Sequence, residues 1–316
     1  MSTRLKYINV VDIHMSFIEK QRHGKHYYYY LVKNVRISPT KAKKVRIFLG
    51  RNVPKREELQ KYLLEIEKKA ISEYSGKWLS RELIERLEDL RASVVVFHKT
   101  PEDALPKDFL VRYTYNTNAI EGNRLTLRQT ALVLSDKIAP EGARTNDVIE
   151  ALNSLDAWEF VKKYKGKLNK KFVCKVQYEI TKNTTCRIQG DYRDSEVRIA
   201  GSEHIPPKPS EVPTLMQKLF EEYDELKREV HPIELATLMH NKLVKIHPFT
   251  DGNGRTSRLL MNWILQRNRF PAVIIEVTNK EKYYNCIEHA DRGDQKYFTV
   301  FLAEQMLEQY TIILPA

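Results

Sequence analysis

Cysteine is scarce in this chain, with Cys174, Cys186 and Cys286 the three among 316 residues. Thiols at those spacings make neither a disulfide framework nor a metal cluster, so a reducing compartment and a cytoplasmic location are expected. Long apolar runs are missing too. None approaches the roughly 20 residues of a membrane span, and Met1-Ser2-Thr3-Arg4-Leu5-Lys6-Tyr7 carries no apolar core of a secretory leader. No membrane partner is therefore expected. No helical repeat is visible either. What remains is 42% hydrophobic and 30% charged, an ordinary folded composition, long enough for one large domain or two with ample core.

The positive charge is unevenly spread. Residues 1–80 hold 18 Lys+Arg against 7 Asp+Glu, a net of +11, which leaves +1 of the chain's +12 for the rest. Within that quarter, Tyr27-Tyr28-Tyr29-Tyr30-Leu31-Val32 and Val45-Arg46-Ile47-Phe48-Leu49-Gly50 flank Ser38-Pro39-Thr40-Lys41. The pattern reads as a β-hairpin or three-stranded meander. Basic residues interleaved with tyrosines suit nucleic acid through residues 1–55; they suit better a small sheet packed on a larger core with its basic face in water. Lys55 to Tyr74 and Trp78 to Val95 read as two amphipathic helices, followed by a linker around His98 to Pro106.

The densest chemistry lies in His247-Pro248-Phe249-Thr250-Asp251-Gly252-Asn253-Gly254-Arg255-Thr256-Ser257-Arg258. Gly252 and Gly254 permit turns closed to other residues and a close approach of a ligand to the main chain. A helix opening near Asn253 points unpaired N–H groups and the positive end of its dipole at an anion. Arg255 and Arg258, three apart on that helix, share a face and match phosphate geometry. Asp251 is a hard carboxylate beside the phosphate turn, where Mg²⁺ belongs. His247 titrates near neutrality and can act as general base.

A second feature lies upstream. Phe109-Leu110-Val111-Arg112-Tyr113-Thr114-Tyr115-Asn116-Thr117-Asn118-Ala119-Ile120-Glu121-Gly122 reads as a helix closed by Gly122 at C′. Thr126 and Gln129 form a capping box for the next helix. Glu121 then falls in a last helical turn, where the dipole prefers a cation. Its partner is to be sought elsewhere in the chain.

Residues His247 to Arg258 resemble the Fic signature, His-Pro-Phe-x-(Asp/Glu)-Gly-Asn-Gly-Arg-x-x-Arg, without departure. The resemblance covers roughly residues 105 to 310. It implies AMP transfer from ATP, with Mg²⁺, to a hydroxyl side chain of a target protein. His247 would accept the hydroxyl proton and Asp251 would hold Mg²⁺. Gly252, Asn253, Gly254 and Arg255 would line the phosphate site, and Arg258 would hold the γ-phosphate. Glycine at 254 favours nucleotidyl transfer over the phosphorylation carried out by the Doc branch, which has lysine there. Thr117-Asn118-Ala119-Ile120-Glu121-Gly122 resembles the family's inhibitory motif, in which Glu121 would pair with Arg258 and block the γ-phosphate position.

Val197, Arg198 and Ile199, in a segment that alternates around Gly201-Ser202, would belong to a hairpin flap that docks the target backbone. Tyr284 would contact adenine, by resemblance to the endoplasmic-reticulum branch of the family. A later asparagine of that branch corresponds here to Asp291, which leaves the second adenine contact open. That branch also removes AMP, with the inhibitory glutamate assisting water, and family members often dimerise.

The expected architecture is mainly α, a Fic-fold bundle with a β-hairpin flap and a small basic β-rich segment. Residues 1–54 form that segment, 55–104 the connecting helices, and 105–316 the Fic domain with an inhibitory helix at about 107–122. The expected function is autoinhibited AMP transfer. AMP removal at the same site, and a nucleic-acid-associated regulator with a nucleotide-sensing core, are the alternatives.

Overall fold

The structure, a computed structural model, describes residues 3–4, 16–38, 41–71, 77–97, 100–199 and 204–311. The turn at Pro39-Thr40, residues 72–76, His98 and the flap tip Ala200-Gly201-Ser202-Glu203 lie outside the described residues.

The N-terminal quarter forms an antiparallel meander, as its alternation suggested. Strands β1 (Thr3–Arg4), β2 (Ser16–His23), β3 (His26–Ser38) and β4 (Lys41–Gly50) pair in sequence order. The register sets Ile18 opposite Leu31 and Leu31 opposite Ile47. Because side chains alternate between faces, this places an apolar row on one side. Helix α1 (Arg56–Ile71) covers that row with Leu59, Tyr62, Leu63 and Ile66, closing a small core of its own.

Helix α2 (Arg81–Phe97) packs on α1 but sends Ile84, Leu87, Leu90 and Val94 into the main core, a stripe at helical spacing. Two polar contacts hold it there. Glu234 accepts from the N–H groups of Trp78 (2.7 Å) and Leu79 (3.0 Å). Glu88, buried, sits 3.0 Å from His231 Nε2 and also pairs with Arg91.

The remainder is a helical bundle, in keeping with the mainly α expectation. It comprises α3 (Phe109–Ile120), α4 (Leu127–Asp136), α5 (Thr145–Lys163), α6 (Lys170–Thr181), α7 (Val212–Leu226), α8 (Pro232–Ile246), α9 (Asn253–Arg267), α10 (Lys280–Asp291) and α11 (Lys296–Gln309). Helix α9 is the axis. Nearly every residue from Asn253 to Leu265 is buried, so it is enclosed on all sides by its neighbours, among them α5, α6 and α8. No helix among the described residues is long and apolar enough to cross a membrane.

Helix α3 ends as its sequence suggests. Gly122 takes φ +97°, and the N–H groups of Gly122 and Asn123 bond back to Ala119 (3.1 Å) and Asn118 (3.1 Å). Thr126 then starts α4 with a reciprocal capping box to Gln129. The tip of the expected hairpin flap lies outside the described residues, and its flanks, 196–199 and 204–208, carry no assigned helix or strand. Side-chain contacts from Arg193 hold its base, as set out below.

Thr126→Ala removes the cap while leaving the core untouched. It is expected to lower stability by about 1 kcal/mol, read as a lower denaturant midpoint at unchanged slope.

Candidate active site

The signature residues occupy the turn between α8 and α9. His247 closes α8 in a left-handed conformation (φ 51°, ψ 57°). Such a backbone is costly for a side chain with a Cβ and persists only where its surroundings impose it. The following proline disfavours helix continuation. Arg193, itself buried, donates from Nε to the His247 carbonyl (2.8 Å) and from its backbone N–H to the Pro248 carbonyl (2.9 Å). Arg193 also donates to the carbonyls of Ser195 (2.9 Å) and Pro207, so one guanidinium ties both arms of the flap base to the catalytic turn.

The other half of the turn is braced by Asn253. Its amide accepts from the Phe249 N–H (3.0 Å) and donates to the Phe249 carbonyl (2.9 Å). This side chain is thus a strut, and what it offers a ligand is its backbone N–H. Gln177, fully buried on α6, donates to the Asp251 carbonyl (3.1 Å) and accepts from the Gly190 N–H (2.6 Å).

Helix α9 opens after Gly252 (φ +82°). Its ladder begins at the Thr256 N–H bond to the Gly252 carbonyl (2.9 Å). The N–H groups of Asn253, Gly254 and Arg255 precede that bond and face the cradle with the positive end of the dipole behind them. Glu121 reaches into this space. A Cβ on Gly254 would lie 2.2 Å from Glu121 Oε1, far inside van der Waals contact. The carboxylate that is badly placed at the end of α3 is well placed at the start of α9.

Arg258 holds it. The guanidinium, 2% exposed, donates from Nη2 to Glu121 Oε1 (2.7 Å) and to the Thr117 carbonyl (2.9 Å), and from Nε to Thr117 Oγ1 (2.9 Å). Nη1 lies 3.4 Å from the Tyr283 hydroxyl. That hydroxyl bonds His240 Nε2 (2.8 Å), and His240 Nδ1 meets the Asn241 side-chain oxygen Oδ1 (3.1 Å). Burial drives the His240 pKa down to about 3, so it is a neutral link. For Glu121 burial raises the pKa, but the charges of Arg258 and Arg255 and the Arg258 hydrogen bond outweigh it and hold the carboxyl below its usual value. Arg258 is raised despite burial, chiefly by Glu121.

Arg255 faces the other side of the cradle. It pairs with Glu150 Oε1 on α5 (3.1 Å), and its Nη2 sits 3.3 Å from both Asp251 oxygens. Glu150 Oε2 accepts from Asn123 Nδ2 (2.8 Å), just past the end of α3. Asp251 Oδ1 accepts from the Gly252 N–H (2.6 Å), and its side chain is half exposed at the cradle mouth. His247 Nδ1 lies 3.3 Å from the Val244 carbonyl, which can only accept. The proton therefore sits on Nδ1, and Nε2 keeps its lone pair. Burial lowers the His247 pKa, against an opposing contribution from that hydrogen bond.

The remaining sequence-nominated residues lie at the margins. Tyr284 is partly exposed on α10 and donates to the Ile120 carbonyl (3.4 Å), so it touches the end of α3. Val197 and Ile199 are half-buried and Arg198 is exposed beyond the Arg193 clamp. Asp291 ends α10, and its carbonyl accepts from Lys245 Nζ (2.9 Å). Sequence reasoning did not single out Thr117's contact to Arg258, nor Glu150, Gln177, Arg193 or Tyr283. Their partners are far away in sequence, and no local pattern marks them.

Residues 167–265 match the family model described as Fic/DOC family. A Drosophila ananassae protein named protein adenylyltransferase Fic is 33% identical over 233 residues, covering 72% of this chain and 46% of its own length. The Nematostella vectensis protein of the same name is 33% identical over 247 residues, covering 74% and 57%. The chain spans about half the length of these curated relatives. Amino acids 134–508 of Fic-1 from C. elegans superpose with a TM-score of 0.66 at 26% identity, covering 81% of this chain and 82% of that one. A Fic domain containing signalling protein from Bacteroides thetaiotaomicron gives 0.62 at 25%, covering 81% and 95%.

The depressed Glu121 pKa fixes the sign of its pH dependence. Its stabilising contribution is complete above the ordinary carboxyl range and is lost as pH falls through the lowered folded value. The stability difference between wild type and Glu121→Gln is therefore expected to stay flat from pH 8 to about 5 and to shrink below that, as read by urea denaturation at each pH.

Proposed function

The chain belongs to the Fic/DOC family, and on that premise we propose that it transfers AMP from ATP to a Ser, Thr or Tyr hydroxyl of a target protein and is restrained by Glu121. The observation that carries this reading is the Glu121 carboxylate lying in the α9 cradle, 2.7 Å from Arg258. A site that already holds one anion at a helix N-terminus is suited to another, and phosphate is the anion such a cradle fits best.

The groups divide the work as the reaction requires. The target hydroxyl oxygen attacks the α-phosphorus, forming the new P–O bond as the bond to pyrophosphate breaks. His247 Nε2, held unprotonated by its Nδ1 hydrogen bond and neutral at pH 7 through its lowered pKa, takes the hydroxyl proton. The N–H groups at 253 to 255 and the Arg255 guanidinium are fixed in advance, so charge developing on the phosphoryl oxygens meets donors that need not reorganise. Arg258 would hold the terminal phosphate once Glu121 leaves it. The half-exposed Asp251 carboxylate, at the cradle mouth, is a hard oxygen ligand and would hold a Mg²⁺. Mg²⁺ there would neutralise polyphosphate charge. Flap residues Val197, Arg198 and Ile199 would offer backbone to the target, on a flap base steadied by Arg193.

AMP removal is the second reading. Glu121 is ionised and its side chain is a third exposed, which suits a carboxylate that orients water.

Glu121→Gly is expected to raise AMP incorporation from labelled ATP about tenfold or more, the worth of a charged hydrogen bond no longer competing for Arg258. In that background His247→Ala is expected to cost about 10²–10⁴-fold. Equal incorporation by wild type and Glu121→Gly, with loss of label from pre-modified protein only in wild type, would instead favour removal. The acid limb of the Glu121→Gly rate profile is expected below the ordinary histidine value of 6.5.

A further inference from the structure

The N-terminal sheet has one face covered by α1, and its other face is exposed at Lys44, Arg46 and Phe48, while Val32 and Glu19 on that side are buried. The open face is defined by the register. Tyr30 lies opposite Phe48, Val32 opposite Arg46 and Asn34 opposite Lys44, so Lys44, Arg46 and Phe48 follow one another along the same side of β4. On it Tyr30 and Phe48 have ring centroids 5.4 Å apart, and Tyr28 and Phe48 5.9 Å. Phe48, at the centre, is 53% exposed.

Cations surround this aromatic group. Arg51 lies 5.9 Å from the Tyr28 ring, and Lys44 lies 6.0 Å from the Phe17 ring farther along the face. The acid on this face, Glu19, is buried and already paired with Arg46 at 3.4 Å. The quarter of the chain that carries the sheet holds a net +11. None of these groups is used by the AMP-transfer site.

We propose that this open face binds single-stranded nucleic acid, with Phe48 and its two tyrosines stacking unpaired bases and Lys44, Arg46 and Arg51 meeting the phosphates. Stacking on exposed rings in a positively charged setting is how sequence-tolerant single-strand sites are built. A duplex hides its base faces and offers the rings nothing to stack on. A protein partner suits the face less well, because the centres of protein interfaces are depleted of charged residues, lysine among them. Here a lysine and two arginines interleave with the rings.

The test uses the full chain and a fluorescein-labelled, mixed-sequence oligonucleotide of about 16 nucleotides, near the upper site size of one such platform. Fluorescence anisotropy is expected to show binding of the single strand that exceeds binding of the matching duplex and weakens steadily with salt. Phe48→Ala is expected to weaken it about tenfold, within the range of one stacked base. The ring is half exposed, so the fold should survive its removal, which circular dichroism checks. Lys44→Ala is expected to flatten the salt dependence. His247→Ala is expected to leave binding unchanged, which separates this site from the transfer reaction. Any of three outcomes overturns the proposal: no binding at low salt, equal binding by wild type and Phe48→Ala, or a duplex bound as tightly as the single strand. Self-association in sedimentation that disappears in Phe48→Ala, without oligonucleotide binding, also overturns it and assigns the face to a second copy of the chain.

Discussion

A guanidinium taken wholly out of water dominates this molecule. Moving such a charge from solvent costs several kcal/mol unless partners replace its hydration. Arg258 sits on α9, the most enclosed helix of the bundle, and finds those partners on α3 and α10. Thr117 supplies a hydroxyl and a carbonyl, Tyr283 a phenolic oxygen, and Glu121 the compensating charge. The position of α3 is therefore an electrostatic requirement of α9 as well as a packing choice. Behind the arginine, Tyr283, His240 and Asn241 keep the phenolic oxygen oriented without introducing a second charge.

Where sequence and structure agree, a local rule is at work. The turn from His247 to Arg258 needs a left-handed glycine at 252, a residue without a Cβ at 254, a helix start and charged groups within one loop, and such a requirement is visible residue by residue. Gly122 and Thr126 mark a helix end and a helix start for reasons that involve only their immediate neighbours. Glu121 is instructive because its local position is unfavourable, which pointed to a remote partner. Where the sequence was silent, the determining contact is long-range. Arg193 is one of many surface-compatible arginines until the chain brings His247, Ser195 and Pro207 around it. Glu150 lies on α5 with no apolar or charge periodicity to mark it, yet it links Asn123 to Arg255. The flap was read from alternation alone, and what fixes its base is the long-range clamp of Arg193. Asn253 opens α9 at the cradle, and its side chain braces the loop through Phe249, a role that depends on the folded turn.

The two apolar cores divide the chain differently from its charge. The sheet and α1 share a small cluster, while α2 belongs to the bundle, fixed by Glu88 and Glu234 to the start of α8. The basic N-terminal segment is thus carried on a firmly seated helix, and its open face is held at the surface of the bundle.

Gly254 carries one more consequence. Because it has no methyl group, a carboxylate of the same chain can lie against the start of α9. In the proposed reading that carboxylate and an incoming phosphate claim one volume, so the chain behaves as if it carried its own competing ligand on a tether. The strength of the restraint is then an effective concentration. It is set by how firmly Asn118, held by Ser154 at 3.1 Å, and Tyr284, donating to Ile120 at 3.4 Å, fix the last turn of α3. Loosening the Ser154 contact dilutes the tethered anion without touching a single group that handles the nucleotide.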